Sequence, residues 1–319
     1  MALFNKSLLT GILAASVFAL PLEQAAAAYP DKPITIIVAW GAGGATDLVT
    51  RAVQPILARE LGTDLIVKNV AGASGTIGTA EAARAKPDGY TILFSPTGPL
   101  TTQPHLRKIP YDLDSFAPVG RIAITQVVMS SAPGSNIKTI EDVIKAAKDN
   151  PGQLKFGSAG AGTLPHIAIL ALNKGAGIQT KHIPYKGSAN AIKAMLGGEV
   201  DLMSEQAQII PKYELQPIAS WSAERLPEYP NIPTMMEKGI PYSMANWSGV
   251  FVPKDTPGEI IEKISTALQA ALKDPKVLSA MENLKVPIGH LGPKDFAAFA
   301  QKDYEQNRQL LQDAGLLKK

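Results

Sequence analysis

The sequence predicts an α/β fold in two lobes, each built on a doubly wound, mostly parallel sheet, with a hinge of two crossing strands. Three observations lead to this prediction. A unit of strand, glycine-rich loop and helix recurs along the chain. The length of 319 residues exceeds what one hydrophobic core usually organises. The last three predicted helices have no strands of their own, so they are expected to complete an earlier sheet.

The first 28 residues are predicted to be a secretory signal peptide and to lie outside the fold. Lys6 precedes an apolar run from Leu8 to Leu22, and small residues follow from Ala25 to Ala28. The run is shorter than the roughly 20 residues that a membrane-spanning helix needs. Because the chain has no cysteine, neither a lipid-modified cysteine nor a disulfide can form. We therefore expect a mature protein that is free in the periplasm.

The first lobe begins with strand 34–39, which is rich in β-branched residues and shows no polar alternation. Such runs are typical of parallel strands covered on both faces. A glycine loop at 41–44 then leads into a helix predicted over 45–61. The unit repeats with strand 65–70, loop 71–75 and helix 79–85, and strand 91–95 enters a further loop at 96–99.

A second cycle of the same kind predicts the other lobe. It comprises strand 126–131, a helix from the Thr139 cap to Lys148, strand 154–157, loop 158–163, helix 164–173, loop 182–188, helix 190–196 and strand 200–203. A strand at 250–252 and helices over 258–272, 275–284 and 293–313 return the chain to the first lobe. The predicted lobes are therefore 29–125 with 250–319, and 126–249.

The glycine loops are predicted to bind the ligand. In open α/β sheets ligands bind beyond the carboxyl ends of the strands, where loops lead into the N-termini of helices. Several unpaired N–H groups and helix dipoles converging on one cleft form an anion site without arginine. Each loop alone is also compatible with a simple tight turn, and their repetition favours the binding interpretation.

Other functional classes find no support in the sequence. Residues 41–46 lack the third glycine of a dinucleotide fingerprint, and neither a Walker sequence nor a G-x-S-x-G serine is present. The four histidines have no metal-ligand spacing and are expected at the surface or at helix ends. A formal net charge of +3 suits a small anion but not a nucleic acid. We expect no catalysis, no metal, no cofactor and a monomeric protein.

The ordered motifs resemble those of the substrate-binding receptors of tripartite tricarboxylate transporters, also called the Bug family. The resemblance starts with Tyr29 to Ile34 and Gly43 to Asp47, and covers essentially the whole mature chain. It continues through 87–91, 157–162, 184–187 and 197–202 and ends with Arg225, Pro233, Thr234, Gly239, Trp247 and Pro253. It implies a Venus-flytrap periplasmic binding protein that closes on a small carboxylate, either a di- or tricarboxylate or an aromatic one. Its implied partners are integral-membrane transporter subunits.

The resemblance also implies a set of ligand-binding residues. In the first lobe these are Trp40, Gly44, Thr46, Asp47, Ala73, Ser74, Ser95 and Thr97, and in the second lobe Ser158, Ala159, Gly160, Tyr185, Gly187 and Glu205. Asp47 has an alternative role, since its carboxylate could only cap the first helix.

Two positions depart from the family pattern and leave the ligand open. The family commonly has proline and phenylalanine where this chain has Ala39 and Trp40, and an aspartate near the position of Glu205. Glu205 either faces the ligand or caps a short helix near 206–210, and each tryptophan either stacks on an aromatic ligand or belongs to the core. Two rival functions remain: a ligand-sensing module of a signalling receptor, and an exported α/β hydrolase.

Overall fold

The computed structural model describes residues 29–185 and 188–318. In these residues ten strands form one continuous sheet in the order β2-β1-β3-β9-β4-β7-β5-β6, and β8 and β10 both pair with β4. The strands are β1 Ile34–Val38, β2 Leu65–Asn69, β3 Thr91–Pro96, β4 Phe116–Ser131, β5 Lys155–Ser158, β6 Lys181–Pro184, β7 Leu202–Gln206, β8 Gln216–Ser220, β9 Ala245–Pro253 and β10 Ile288–Leu291. The signal-peptide prediction concerns residues outside the described ranges.

The α-helices of the described residues cover both faces of this sheet. They are α1 Ala45–Leu61, α2 Thr76–Ala83, α3 Thr97–Thr101, α4 Gln103–Leu106, α5 Ile140–Asp149, α6 Leu164–Ala176, α7 Ser188–Leu196, α8 Ile209–Lys212, α9 Gly258–Ala271, α10 Pro275–Asn283 and α11 Pro293–Asp313. The predicted bounds of α1 agree with the structure. This helix buries Val49, Val53 and Leu57 on one face and ends at Gly62, whose φ of 71° closes the last turn.

The strand β4 joins the two halves of the sheet. Its first part pairs antiparallel with β9 and β10, and its second part pairs antiparallel with β7 and β8. Beyond these strands, β1, β2 and β3 are parallel in one half, and β5, β6 and β7 are parallel in the other. The two-lobed α/β fold is confirmed, with a correction in detail. Parallel pairing is limited to three strands in each half, and the strands around the crossing are antiparallel.

Buried apolar side chains form separate clusters in the two halves. Val53, Leu57 and Leu268 belong to the core of the half that contains β1. Phe156 and Leu172 belong to the core of the half that contains β5. Leu310 and Leu311, at the end of α11, pack into this second core, although the sequence places 250–319 with the first lobe. The exact lobe boundaries stay a prediction.

Several strands differ from the predicted elements. The strands expected at 126–131 and 250–252 are the ends of the longer β4 and β9. The C-terminal helices do have a strand among them, because β10 lies between α10 and α11 and pairs with β4. It is short and only half-buried, so neither its length nor its periodicity marks it in the sequence.

Candidate ligand-binding site

A cavity of about 140 Å³ lies between the two halves of the molecule. It is close in size to a cavity of about 150 Å³ that holds benzene in an engineered protein. Its lining comes from the loops after β1 and β2, from the end of β3 with α3 and α4, from the starts of α6 and α7, from the end of β7 and from both crossing strands. The lining residues are Trp40, Ser74, Pro96, Thr97, Gly98, Pro99, Gln103, Val127, Gly162, Thr163, Leu164, Pro165, Ser188, Ser204, Glu205, Gln206 and Asn246.

Three buried polar side-chain atoms, on residues that line this cavity, have no hydrogen-bond partner among the described residues. They are Trp40 Nε1, Thr97 Oγ1 and Gln103 Oε1. Thr97 lies close enough to Asp303 to help lower the pKa of that carboxyl, but the geometry of the pair is not that of a hydrogen bond. Because an unpaired buried polar group costs about 1–3 kcal/mol, such atoms are rare. Three such atoms therefore cluster in the residues around one cavity.

The beginning of α6 brings a helix N-terminus to the cavity. Its cap residue Thr163 and its first residues Leu164 and Pro165 all line the wall. The hydroxyl of Thr163 donates to Gly160 O at 2.7 Å. The side chain of Thr163 makes no cap hydrogen bond to the helix. The partial positive charge of a helix start favours an anion there.

Asp47 organises the first loop instead of lining the cavity. Its Oδ2 accepts hydrogen bonds from Gly43 N at 2.8 Å and Arg51 Nε at 2.9 Å, and its Oδ1 accepts one from Asn69 at 2.9 Å. Burial by itself raises the pKa of this carboxyl, but the hydrogen bonds from Arg51, Gly43 and Asn69 hold it below its ordinary value. The cap position of α1 is Gly44. Asp47 therefore ties the loop to both α1 and β2.

Ser158 and two histidines hold the loop after β5. Ser158 Oγ lies 2.6 Å from His182 Nε2 and accepts a hydrogen bond from Gly160 N at 3.1 Å. His166 stacks on His182 with ring centroids 4.1 Å apart, and its Nδ1 accepts from Gly162 N at 3.1 Å. Burial lowers the pKa of His166 to about 4, with a smaller contribution from His182, so the ring is neutral at physiological pH.

The Ser158–His182 pair has the reach of a nucleophile and its base, but its position argues for a structural role. Ser158 is 0% exposed, and it does not line the cavity. His166 lies at a helix end as expected, in the first turn of α6, and the sequence contained no signal for the contacts of His166 and Ser158 with His182.

Glu205 is the one ionisable residue among the described lining residues. It is 7% exposed at the end of β7, and Ser188 Oγ donates to its Oε1 at 2.5 Å. Burial raises the pKa of this carboxyl, and the bonds from Ser188 and the Gln206 backbone partly oppose that effect. The alternative that Glu205 turns outward to cap a helix is wrong, because α8 begins at Ile209 with Gln208 as its cap residue.

The predicted binding residues fall into three groups. Trp40, Ser74, Thr97 and Glu205 line the cavity. Thr46 lines a smaller space of about 30 Å³ that shares Pro96, Gln206 and Asn246 with it. Gly44, Asp47, Ala73, Ser95, Ser158, Ala159, Gly160 and Tyr185 do not line it, and Gly187 lies outside the described residues. Ligand contact by any of these residues stays a prediction.

The structure shows which tryptophans belong to the core and which one faces the cavity. Trp221 and Trp247 are 0% and 1% exposed and belong to the core, whereas Trp40 faces the cavity. The sequence analysis missed Gln103, Ser188, Ser204 and Asn246. Two of these had a signal: Ser204 precedes Glu205 in the chain, and Ser188 ends the predicted loop 182–188.

A larger cavity of about 580 Å³ lies beside the crossing strands, between 207–229 and 278–288. Most of its lining is apolar, with Leu226, Leu278 and Met281 among the side chains. Its lining includes charged side chains such as Glu228, Glu282 and Lys285, but among its described residues only Gln208 has a buried side-chain atom without a partner, against three such atoms around the smaller cavity. The smaller cavity at Trp40 and Glu205 is therefore the candidate site.

Two α/β halves, a pair of crossing strands and a polar cavity between the halves define a solute-binding protein of the two-lobed periplasmic class. The chain belongs to the TctC family, the tripartite tricarboxylate transporter family receptors, whose family pattern matches residues 49–316. This confirms the resemblance found in the sequence. None of the helices in the described ranges is both long and apolar enough to cross a membrane.

Sequence relatives and solved structures match most of the chain. BugT of Bordetella pertussis is 32% identical over 260 residues, which cover 79% of this chain and 80% of BugT. The R. palustris protein Rpa4515 with adipate has a TM-score of 0.76 and 26% identity, covering 90% of this chain and 98% of that one. MatC of Rhodopseudomonas palustris, with bound malate, has a TM-score of 0.74 and 26% identity, covering 89% and 100%.

Proposed function

We propose that this protein is an exported receptor that binds a small carboxylate between its halves and delivers it to integral-membrane transporter subunits. The observation that carries the proposal is that residues around one small cavity hold three unpaired buried polar atoms, Trp40 Nε1, Thr97 Oγ1 and Gln103 Oε1. Proteins of similar structure that hold adipate and malate support the ligand class.

Uncharged groups of the protein would bind the carboxylate of the ligand in this cavity. The indole N–H of Trp40 and the hydroxyls of Ser74 and Thr97 offer donors from the first half, and the start of α6 offers its dipole from the second. Closing the halves around the ligand removes water, which strengthens these interactions. Residues from both halves must therefore be in place for tight binding.

The proposal includes no chemical step. The pair Ser158 and His182 lies away from the cavity, and the part of the chain that is described has no cluster of three acidic, histidine or cysteine side chains suited to a metal. We propose that the protein acts as a monomer in the periplasm after removal of residues 1–28, without a cofactor or a nucleic-acid partner.

A panel of mono-, di- and tricarboxylates and aromatic acids tests the binding proposal by thermal shift. A true ligand at a hundredfold excess over its Kd stabilises the protein by about 2.7 kcal/mol, which corresponds to several degrees in Tm. A shift with sugars or cations, and none with carboxylates, would show that the proposal is wrong.

Delivery is tested with the transporter subunits in sealed vesicles. Uptake of the labelled ligand should require the receptor on the outer side. If the receptor binds the ligand but uptake is equally fast without the receptor, the delivery proposal is wrong and the ligand-sensing alternative takes its place.

A further inference from the structure

We infer that Glu205 makes the cavity selective for carboxylates that also carry a hydrogen-bond donor, an ammonium or a hydroxyl group, over plain carboxylates. This inference rests on the proposed function, since it concerns which carboxylate the same cavity accepts. It is carried by the position of Glu205 in the cavity wall, by its incomplete hydrogen bonding and by the absence of a cation among the described lining residues.

Glu205 has acceptor capacity to spare. Its Oε1 accepts from Ser188 Oγ at 2.5 Å, whereas among the described residues the one donor to its Oε2 is the backbone N–H of Gln206, at 3.4 Å. An ionised carboxylate has about four lone-pair sites. Because Glu205 lines the cavity, a donor on a bound ligand can occupy the remaining sites.

The charges of the cavity favour the same ligand. The described lining residues include no lysine, arginine or histidine. A second carboxylate close to Glu205 would meet a like charge in a region of low dielectric. An ammonium would offset the charge of Glu205 and form a charge-assisted hydrogen bond, which is stronger than a neutral one. A hydroxyl would form the bond without the charge compensation.

The opposite arrangement has a protonated Glu205 that donates to a ligand carboxylate. Burial raises the pKa of Glu205 and so favours the protonated form in the empty cavity. The groups that face the carboxyl, Ser188 Oγ and Gln206 N, both donate to it, and donors of this kind favour the ionised form. The two arrangements differ in the sign of the pH dependence, which the experiment includes.

The experiment compares ligands that share one skeleton and differ in one substituent. Isothermal titration uses succinate, malate and aspartate, adipate and 2-aminoadipate, and phenylacetate, mandelate and phenylglycine, in both enantiomers where they exist. Within the series that binds, the amino acid should bind tightest, the hydroxy acid next and the plain acid least. The difference between the extremes should be about ten- to a hundredfold, or about 1.4–2.8 kcal/mol at 1.4 kcal/mol per factor of ten.

Two variants isolate the role of Glu205. Glu205→Gln keeps the shape and should reduce the preference to about threefold or less, whereas Glu262→Gln makes the same change on the exposed surface of α9 and should bind like wild type. Melting temperature checks that both variants fold. If Glu205→Gln is unfolded, Glu205→Asp, which draws the carboxylate back by one methylene, should still reduce the preference.

The outcomes separate the inference from the proposed function. Equal binding of plain and donor-bearing acids, or a preference that survives in Glu205→Gln, overturns the inference and leaves carboxylate binding intact. Binding of the plain acids could instead strengthen as pH falls in the wild type but not in Glu205→Gln. This result would assign the protonated arrangement of Glu205 and would also overturn the inference. Binding by none of the series overturns both.

Discussion

Oγ of Ser158 on β5 lies 2.6 Å from Nε2 of His182 on the neighbouring strand β6. The two strands are parallel, with Phe156 opposite His182 and Ser158 opposite Pro184, so Ser158 and His182 are diagonal neighbours on one face. The contact joins the loop after β5 to the sheet. It positions Gly160 and Thr163 at the approach to the cavity through their own hydrogen bonds.

Ser158→Ala should destabilise the fold because it leaves Gly160 N–H and His182 without their common partner. We expect a loss of about 1–3 kcal/mol in the free energy of unfolding, measured by urea denaturation. Ser279→Ala removes an exposed hydroxyl from α10 and should change stability by less than about 0.5 kcal/mol. Equal losses of stability in the two variants would contradict a structural role for the contact between Ser158 and His182.

Trp40→Phe should weaken ligand binding more than it weakens the fold. The indole Nε1 of Trp40 has no partner among the described residues and lines the cavity, so its loss removes a donor only in the complex, at a cost of about tenfold in Kd. Trp247→Phe is the matched change, because Trp247 Nε1 donates to Asp303 in the core. It should lower Tm and leave Kd nearly unchanged. The reverse pattern would contradict the assignment of Trp40 to the site.

Gly162→Ala should hinder the approach of the two halves. A methyl group at Gly162 would lie 2.1 Å from Leu106 Cδ1 and 3.0 Å from Gln103 Nε2, which belong to the predicted first lobe. Gly152→Ala introduces the same left-handed strain, with φ of 73° against 74°, and meets nothing within 4 Å. We expect similar losses of stability in both variants, and a ligand affinity roughly tenfold weaker only in Gly162→Ala. Titration calorimetry that finds equal affinities would show that closure does not depend on this contact.

Asp303→Asn should change the pH dependence of stability. Desolvation raises the pKa of Asp303 from 3.8 to about 6, against hydrogen bonds from Thr101 and Trp247 that lower it. Since the folded protein holds this proton more tightly than the unfolded one, the wild type loses stability as pH rises from about 4 to about 6. The free energy of unfolding of the variant, relative to that of the wild type, should increase by on the order of 3 kcal/mol between pH 4 and pH 7. Urea denaturation at both pH values measures this, and a difference independent of pH would contradict it.

Export should remove the first residues of the chain. The apolar run and the small residues before Tyr29 predict a mature protein that starts at Ala28 or Tyr29. Intact-mass measurement of the periplasmic fraction decides this, and a protein that retains residues 1–20 there would contradict cleavage. A variant with the apolar run interrupted by two arginines should stay in the cytoplasm with its full mass.

Local patterns of sequence determined the elements that depend on neighbouring residues. Three predicted features depend only on neighbouring residues: the β-branched run of β1, the apolar spacing of α1 and the cap at Thr139. The structure confirms these three elements. The order of motifs also determined the family. These features need no knowledge of distant contacts, because helix periodicity, caps and turns are set within a few residues.

Tertiary structure decided which loops meet and which side chains face the cavity. Gln103 and Asn246 reach the site only because the crossing of β4 and β9 brings the two halves together. His182 and Ser158 meet only through the parallel pairing of β5 and β6. The sequence by itself determined the two-lobed class and Glu205 as the unusual residue, and only strand pairing decided that Glu205 points inward. A side chain on β7 faces one side of the sheet or the other according to register, and register is set by partners more than 70 residues away in β4.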